Sequence, residues 1–386
     1  MPSTVIIDTD PGVDDAFAIL YALASPELRV CAFTLVHGNS PLQCSTRNLA
    51  TLLDALHRQH QSEGFDSTNW ERPVVAIGAN EPLNVVREGA EFFHGPDGFG
   101  GVHASHAAWT RDITRPAGHP LYTVSARDGA DEILHQLRKE PANTVTILAI
   151  GPVTNLALAI ERDARTFARA RRVISMGGAV RIPGNVTPTS EFNFWGDPLA
   201  AQLVLERTLA KDPEERVEVV LVPLDPLETL RFPRKMIDFG ASESSIPIAQ
   251  FFSVIARHTF DLVHRFTGSA FMPLIDVAVT QMAIDLVRAN DKLENCKELG
   301  WEIVAEDIRV ESQGSWTRGM TIVDRRAELK GAAKATAEHI KVEKYPDPQW
   351  TEKTGATHVH VCYKMDGDRC VRESIERVYK VSVDGL

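Results

Sequence analysis

Four aspartates lie close together near the amino terminus, in the segment Asp8-Thr-Asp-Pro-Gly-Val-Asp14-Asp15. An apolar run precedes them and an apolar helical pattern follows. Carboxylates placed this close repel one another, and in a water-poor crevice they need a counter-cation. Hard oxygen ligands in this number favour Ca²⁺ or Mg²⁺ over the softer transition metals. The segment therefore predicts a site for a divalent cation.

The same aspartates admit other interpretations. A single residue such as Asp14 or Asp15 could simply cap the following helix, but that role does not need four acids together. An EF-hand is excluded because the twelfth position counted from Asp8 is Ile19, which cannot supply the bidentate carboxylate. A Mg²⁺-dependent phosphatase of the haloacid dehalogenase type stays open at this point, with Asp8 as nucleophile and Asp10 as acid.

The elements that position these residues follow from a regular alternation of short β-branched runs with longer helical patterns. This rhythm predicts an α/β fold with a largely parallel, doubly wound sheet and helices on both faces. The predicted strands are residues 4–8, 28–36, 144–150, 171–178 and 217–224, and the predicted helices begin at Asp15 or cover residues 42–60, 154–165 and 198–207.

Polar residues cluster directly after the predicted strands, in residues 8–15, 37–39, 151–155 and 177–193. In open α/β sheets, ligands bind in the crevice outside the carboxyl ends of the strands. We therefore expect these four clusters to share one crevice.

The bulk composition is that of a globular protein with a small-molecule partner. Of 386 residues, 44% are hydrophobic and 24% are charged, which supplies material for a large core. The formal net charge of -11 argues against a surface that neutralises nucleic-acid phosphates. No internal repeat or composition shift divides the chain, so one domain over residues 1–386 is predicted, with surface insertions at 60–69 and 327–357. The second insertion separates two strand-like runs, 319–324 and 358–365, which would otherwise form a simple antiparallel pair.

The amino-terminal residues lack the basic segment of a secretory signal, and acidic residues arrive by Asp8. Apolar stretches are far shorter than the roughly 20 residues that span a bilayer. The five cysteines are scattered and odd in number, which favours reduced thiols over a disulfide framework. We expect a cytoplasmic protein without membrane segments.

With the signature Asp-x-Asp-Pro-Gly-x-Asp-Asp complete at Asp8 to Asp15, the chain resembles the inosine-uridine-preferring nucleoside hydrolase family. The resemblance extends over about residues 3 to 326 and is weak beyond them. Further matching motifs occur in order: Val36-His-Gly-Asn39, the loop from His94 to Gly101, Gly151-Pro-Val-Thr-Asn155, Met176-Gly-Gly, Asn185, Glu191-Phe-Asn193, Asp197-Pro, Val222-Pro-Leu-Asp225, Asp276 and Thr317-Arg-Gly-Met.

The resemblance implies a Ca²⁺-dependent hydrolase that cleaves the N-glycosidic bond of ribonucleosides, yielding free base and ribose. It implies that Ca²⁺ is held by Asp10, Asp15, Asp276 and the backbone carbonyl of Ile150. A water on the calcium would be activated by Asp10, because Ca²⁺ alone acidifies water weakly and a carboxylate base is needed beside it. The resemblance also suggests a homodimer or homotetramer.

Residues that contact the ribose and the water are implied in the same way. The implied contacts are Asp14 and Asn193 at the 2′ and 3′ hydroxyls, Asn185 and Glu191 toward the 5′ hydroxyl, Met176 at the underside of the sugar, and Asn39, a catalytic residue beside the nucleophilic water.

The chain departs from the family pattern at Ile275, directly before Asp276. Pyrimidine-accepting members commonly carry His at this position and purine-preferring members carry Trp, whereas Ile cannot donate a proton. A purine can be protonated at N7 by solvent or by a loop group such as His94, so a preference for purine nucleosides is predicted. The other candidate proton donors are His264, Arg265 and, more weakly, His37.

Three functions are therefore compared. The phosphatase is disfavoured by the lack of a matching downstream Lys and Asp-Asp set and by the Asn185, Glu191 and Asn193 series, which a phosphate would not require. A catalytically idle ribose- or Ca²⁺-binding homologue stays open because Ile275 replaces the histidine. The ribonucleoside hydrolase is the leading prediction.

Overall fold

The β-branched runs of the sequence form the strands of a central sheet in the computed structural model, which describes residues 2–64, 71–113, 119–323 and 358–383. Within these residues nine strands make up this sheet and four short strands form two separate antiparallel pairs, β8 with β9 and β11 with β12. The strands are β1 Ser3–Thr9, β2 Leu28–Leu35, β3 Val74–Ile77, β4 Thr123–Val124, β5 Val145–Ala149, β6 Arg172–Met176, β7 Val219–Val222, β8 Phe232–Pro233, β9 Phe271–Met272, β10 Glu302–Glu306, β11 Ile308–Val310, β12 Thr321–Val323 and β13 Val359–Lys364.

The central sheet has the strand order β10-β13-β7-β6-β5-β1-β2-β3-β4. Neighbouring strands run parallel except for β10, which is antiparallel to β13. Strand β1 lies in the interior, where Asp8 is paired with Thr34 of β2 on one side and with Ala149 of β5 on the other. The predicted fold class, a largely parallel α/β sheet, is confirmed.

Helices cover both faces of the sheet, and each face has its own core. One core includes Phe17, Phe252, Val279 and Ile375 from four helices, and the second includes Ile133 of another helix. The helices are α1 Val13–Leu23, α2 Leu42–Ser62, α3 Glu91–His94, α4 Val102–Ser105, α5 Gly129–Lys139, α6 Thr154–Phe167, α7 Phe192–Gly196, α8 Pro198–Glu206, α9 Lys235–Asp238, α10 Pro247–Thr267, α11 Val277–Arg288 and α12 Gly367–Tyr379.

The predicted helices agree with the observed ones to within two residues at each end. Residues 60–62 of the first predicted insertion belong to the last turn of α2, and residues 65–69 lie outside the described part of the chain. The second predicted insertion, 327–357, lies wholly outside it.

The expected antiparallel pairing of the two runs around residues 327–357 is wrong. Strand β12 pairs with β11, whereas β13 enters the central sheet between β10 and β7. The reason lies in β13 itself, because Val361 and Cys362 are both fully buried and belong to the cores on opposite faces. A strand that is apolar on both faces is most stable inside a covered sheet.

All five cysteines are free, as their scattered spacing predicted. No helix among the described residues combines the length and the apolar composition needed to cross a bilayer.

Candidate active site

Asp8 lies near the end of β1 and does not line the cavity described below. It is fully buried, and its Oδ1 accepts hydrogen bonds from Thr34 Oγ1 at 2.5 Å and Asn155 Nδ2 at 2.8 Å. Burial raises the pKa of Asp8 to about 7. The phosphatase interpretation needs Asp8 as a nucleophile at the cavity, whereas the structure holds this carboxylate between Thr34 and Asn155 and does not place it in the cavity wall.

Asp10 lies beyond the end of β1, in a space that two glycines keep open. A Cβ at Gly38 would come within 1.9 Å of Asp10 Oδ2, and a Cβ at Gly151 within 2.4 Å of Asp10 Oδ1. Oδ2 accepts the Asn39 N–H at 2.6 Å, while the buried Oδ1 has no hydrogen-bond partner among the described residues. Burial and the neighbouring Asp15 charge raise the pKa of Asp10 well above its ordinary value.

Asp15 combines a capping role with membership of the acidic group. At the third position of α1, its Oδ2 accepts the Gly12 N–H at 2.9 Å, the contact expected of a helix cap. The same carboxylate accepts Thr9 Oγ1 at 2.6 Å and Asn39 Nδ2 at 3.0 Å. Burial and the Asp14 charge raise the pKa of Asp15 to about 6. Both interpretations of this residue are therefore compatible.

Asp276 enters from the start of α11 and completes the group. Asp14, Asp15 and Asp276 each offer a carboxylate oxygen within 4.8 Å of the other two. Burial and the surrounding carboxylates raise the pKa of Asp276 well above its ordinary value, and burial raises the pKa of Asp14 to about 6. Asp14 Oδ1, like Asp10 Oδ1, is buried without a hydrogen-bond partner. Asp14, Asp15 and Asp276 fit a hard divalent cation. Asp10, a predicted metal ligand, is not part of that close group, but its charge raises the pKa of Asp276, so the four residues together are called the carboxylate cluster below.

A cavity of about 1020 Å³ opens onto the carboxylate cluster. The polar segments that follow β1, β2 and β6 contribute to its wall, so these three share one crevice as predicted. The segment 151–155 after β5 does not line the cavity, and only Ile150 does so at that strand. Asp10, Asp15 and Met176 lie behind the wall and do not line the cavity among the described residues. The predicted site residues that line it are Asp14, Asn39, His94, Ile150, Asn185, Glu191, Asn193 and Asp276.

The start of α7 supplies one polar wall. Glu191 is the N-cap of this short helix, and its buried carboxylate accepts the N–H groups of Asn193 at 2.7 Å, Phe194 at 3.1 Å and Gly178 at 2.8 Å. Burial nevertheless raises the pKa of Glu191. Asn185 Oδ1 accepts the N–H of Phe192 at 3.0 Å. Hydrogen bonds from backbone N–H groups therefore hold the Glu191 and Asn185 side chains in place.

Asn193 connects this wall to the strands beneath it. Its Nδ2 lies 3.2 Å from the Ile150 carbonyl oxygen, 3.4 Å from the Met176 carbonyl oxygen and 3.3 Å from Met176 Sδ. Met176 is fully buried and therefore supports Asn193 from below. Ile150, whose carbonyl is a predicted metal ligand, lines the cavity directly after β5.

His94 lies inside the cavity wall with a defined orientation. Its Nδ1 accepts the Val13 N–H at 3.3 Å, so the proton of the neutral ring is on Nε2, which is 3.8 Å from Asp14 Oδ1. Burial lowers the pKa of His94 to about 4. His94 is thus a neutral neighbour of the carboxylate cluster at physiological pH.

The other predicted proton donors lie elsewhere. His37 is buried with its Nε2 3.0 Å from Thr154 Oγ1, and it does not line the cavity. His264 and Arg265 are exposed near the end of α10. The structure brings none of these three to the cavity wall, so only His94 of the predicted donors lies in the site.

The outer wall of the cavity was not predicted from the sequence. Leu224, Leu227 and Leu230 follow β7, and the 271–273 segment with Phe92 completes the apolar lining. Apolar residues after a buried strand look in sequence like ordinary core, and only Leu224, which lies inside the matching motif Val222 to Asp225, carried a local signal. Thr9 and Asn155 were also missed as supports for the carboxylates, although both lie inside the matching motifs.

The family model of the inosine-uridine preferring nucleoside hydrolases matches residues 5–372. Uridine nucleosidase 1 of Arabidopsis thaliana is 38% identical over 201 residues, which are 52% of this chain and 52% of the relative. The pyrimidine-specific ribonucleoside hydrolase RihA of Salmonella newport is 30% identical over 328 residues, 84% of this chain and 89% of the relative.

Among solved structures, a plant nucleoside hydrolase superimposes with a TM-score of 0.74 at 26% identity, covering 99% of this chain and 100% of the other. Several other sequence relatives match over a shorter part of their length than RihA does. This chain spans only 52% to 64% of the length of the plant nucleosidases and of a Schizosaccharomyces pombe relative that it matches.

Proposed function

Because this chain belongs to the inosine-uridine preferring nucleoside hydrolase family, we propose that it hydrolyses the N-glycosidic bond of ribonucleosides to free base and ribose. The observation that carries the proposal is the carboxylate cluster at the base of an otherwise largely apolar cavity. Such a cavity can bind a nucleoside with its polar sugar at the carboxylates and its flat base against the apolar wall.

Asp10, Asp15, Asp276 and the Ile150 carbonyl would hold Ca²⁺. The carboxylate oxygens of Asp15 and Asp276, which lie within 4.8 Å of each other, support this assignment. Asp10 is included on the family resemblance, because it is not part of that close group. When bound, Ca²⁺ supplies a charge that orients a water molecule and increases its acidity. Asp14 offers a further oxygen to the same space, beside its proposed contact with the ribose hydroxyls.

Asp10 is the proposed general base. Its Oδ2 is fixed by the Asn39 N–H, which leaves Oδ1 to accept a proton from the attacking water. Asn39 also donates to Asp15, so one side chain aligns two members of the carboxylate cluster. As the glycosidic bond breaks, positive charge develops on the ribose, and the surrounding carboxylates stabilise it.

The sugar contacts are proposed for Asn193, Asn185 and Glu191, whose positions along one cavity wall support that role. Glu191 already accepts three backbone N–H groups, so it would contribute a fixed acceptor for a hydroxyl. Met176 would act through Asn193, since it lies behind that residue.

Purine preference is proposed from the chain's own residues. Ile275 lines the cavity beside Asp276 without a proton to give, and the pKa of His94 is lowered to about 4. A purine can instead take a proton at N7 from solvent. The names of the Arabidopsis and Salmonella relatives favour pyrimidine nucleosides as the second candidate.

A ribose-release assay on inosine, guanosine, adenosine, uridine and cytidine tests the reaction and the base preference together. A higher kcat/KM is expected for the purine nucleosides than for the pyrimidine nucleosides. Faster cleavage of uridine and cytidine would overturn the purine preference, and no ribose from any of them would support the idle homologue.

Chelation tests the proposed requirement for bound Ca²⁺. Metal-free protein should lose activity and unfold at a lower temperature, because a ligand that binds only the folded state stabilises it. Ca²⁺ should restore both properties better than Mg²⁺, which demands a tighter octahedral shell. Full activity after exhaustive chelation would contradict the metal assignment.

A homodimer or homotetramer in the cytoplasm is also proposed, on the family resemblance and the sequence features given above. Analytical ultracentrifugation measures the first property, and localisation of the tagged chain measures the second. A monomer at assay concentrations would contradict the oligomer.

A further inference from the structure

An arginine outside the cavity stacks on an aromatic residue that lines it. The Cζ atom of Arg318 lies 4.2 Å from the centroid of the Trp195 ring. Trp195 belongs to α7, two residues after Asn193, and forms part of the cavity wall. Arg318 itself does not line the cavity, so any effect it has on a bound substrate must pass through Trp195 or another lining residue.

The loop that carries Arg318 is seated against α7. Ser190 Oγ donates to the Arg318 carbonyl oxygen at 2.5 Å, and Ser190 forms a β-bridge with Met320. At Gly319, where φ is +77°, a Cβ would lie 2.6 Å from the Trp195 Cα atom. This close approach requires glycine, and it fixes the Arg318 backbone relative to the Trp195 backbone.

The same guanidinium reaches a second part of the wall. Arg318 Nη2 lies 3.6 Å from Oε1 of Glu88, which lines the cavity from the segment before α3. The Glu88 side chain is 57% exposed, so this ion pair by itself is weak. Its significance is geometric, because one planar group contacts two chain segments that both border the substrate space.

We propose that Arg318 is a positioning residue for nucleoside binding, holding Trp195 as a rigid wall of the cavity and joining that wall to Glu88. This inference rests on the proposed function. A guanidinium suits the role because it can stack its flat face on an indole while its charged edge pairs with a carboxylate. A lysine ammonium at the same position would keep the charge and lose the flat stacking surface.

The test compares Arg318→Ala and Arg318→Lys with the wild type in steady-state kinetics on the best nucleoside. Arg318→Ala should raise KM about two- to fivefold, the change expected from loss of one partly exposed cation–π contact, with kcat changed less than KM. Arg318→Lys should recover only part of this loss. The matched control is Arg58→Ala, which removes an Arg–Trp stack at 4.6 Å and an Asp54 ion pair outside the cavity.

Glu88→Gln tests the second contact. Alone it should raise KM by less than Arg318→Ala does, and combined with Arg318→Ala it should add nothing, because Glu88 acts through the guanidinium. If the two effects on KM multiply in the double variant, the proposed link between Arg318 and Glu88 is wrong.

Thermal unfolding separates positioning from general stability. Arg318→Ala and Arg58→Ala should lower the unfolding temperature to a similar extent, whereas only Arg318→Ala should change KM. Equal KM values for wild type and Arg318→Ala in an active enzyme would overturn this inference alone. A wild type that releases no ribose would overturn the proposed function, and this inference with it.

Discussion

Asp10 presents one carboxylate oxygen that is fixed and one that is free, which is the arrangement a general base needs. The hydrogen bond from the Asn39 N–H to the fixed oxygen sets the direction of the other oxygen. In the proposed mechanism, Asn39 orients Asp10 and Asp10 accepts the proton.

We predict that Asp10→Asn lowers kcat by a factor of at least about 100 at saturating Ca²⁺, because an amide cannot accept the proton. Steady-state kinetics with a parallel calcium titration would measure it. Asp261→Asn, an exposed carboxylate paired with Arg234, is the control and should have no effect. Near-normal kcat in Asp10→Asn would assign the base to another residue.

Ile275 is the second residue on which the proposed reaction depends, because of its position beside the leaving base. It borders the cavity and packs partly against the core, where it can shape the space beside the leaving base but cannot protonate it.

Ile275→His should raise kcat/KM for uridine, because a general acid typically contributes about 10² to 10⁴ in rate and part of that factor is recoverable. The comparison substrate is p-nitrophenyl riboside, whose leaving group needs no proton, and the control variant is Ile275→Leu. Wild-type cleavage of uridine as fast as the activated riboside would mean that another residue already supplies the proton.

At the scale of elements, the loop between β1 and α1 depends on contacts from α2. The Asn48 Nδ2 atom donates to the Pro11 carbonyl and to the Asp97 carbonyl, both at 2.8 Å, while Oδ1 faces His103 Nε2 at 2.6 Å. One buried amide therefore connects the loop of the carboxylate cluster to the loop that follows His94.

We predict that Asn48→Ala destabilises the protein by about 1–3 kcal/mol, because it leaves buried polar groups unpaired. Calcium affinity should also fall, since the aspartates lose part of their support. Urea unfolding and calorimetric calcium titration measure the two effects. The exposed Asn80→Ala serves as control. Unchanged calcium affinity in a destabilised Asn48→Ala variant would limit the role of Asn48 to folding.

At the scale of the whole molecule, buried neutral histidines make folding sensitive to acid. Burial lowers the pKa of His37 from 6.5 to about 4, so the unfolded chain takes up a proton more readily than the folded chain. Its contribution to stability is complete above about pH 6.5 and is lost as the pH falls toward 4.

His37→Gln should therefore lose less stability than the wild type between pH 7 and pH 5, by about 1–2 kcal/mol. Glutamine keeps a donor for Thr154 Oγ1 and does not titrate. Denaturant unfolding at both pH values gives the comparison, which depends on the slope with pH rather than on absolute stability. The exposed His106→Gln should keep the wild-type slope. Parallel pH slopes for wild type and His37→Gln would contradict the prediction.

The sequence alone determined the fold class, the position of the carboxylates after β1 and the family. These features are local. The periodicity of apolar residues and the Asp-x-Asp-Pro-Gly-x-Asp-Asp spacing both depend on residues that are close together in the sequence. The conflict between capping and metal binding at Asp15 could not be resolved locally, and the structure shows that one carboxylate serves the cap while it belongs to the cluster.

Only the tertiary structure decided which way each polar side chain points and what lies beside it. It paired Asp8 with Thr34, enclosed His37, exposed His264 and placed His94 beside Asp14. It also placed β13 inside the sheet. The physical reason is that burial and hydrogen-bond partners come from segments far apart in the chain, and residue type and spacing do not specify which segments will meet.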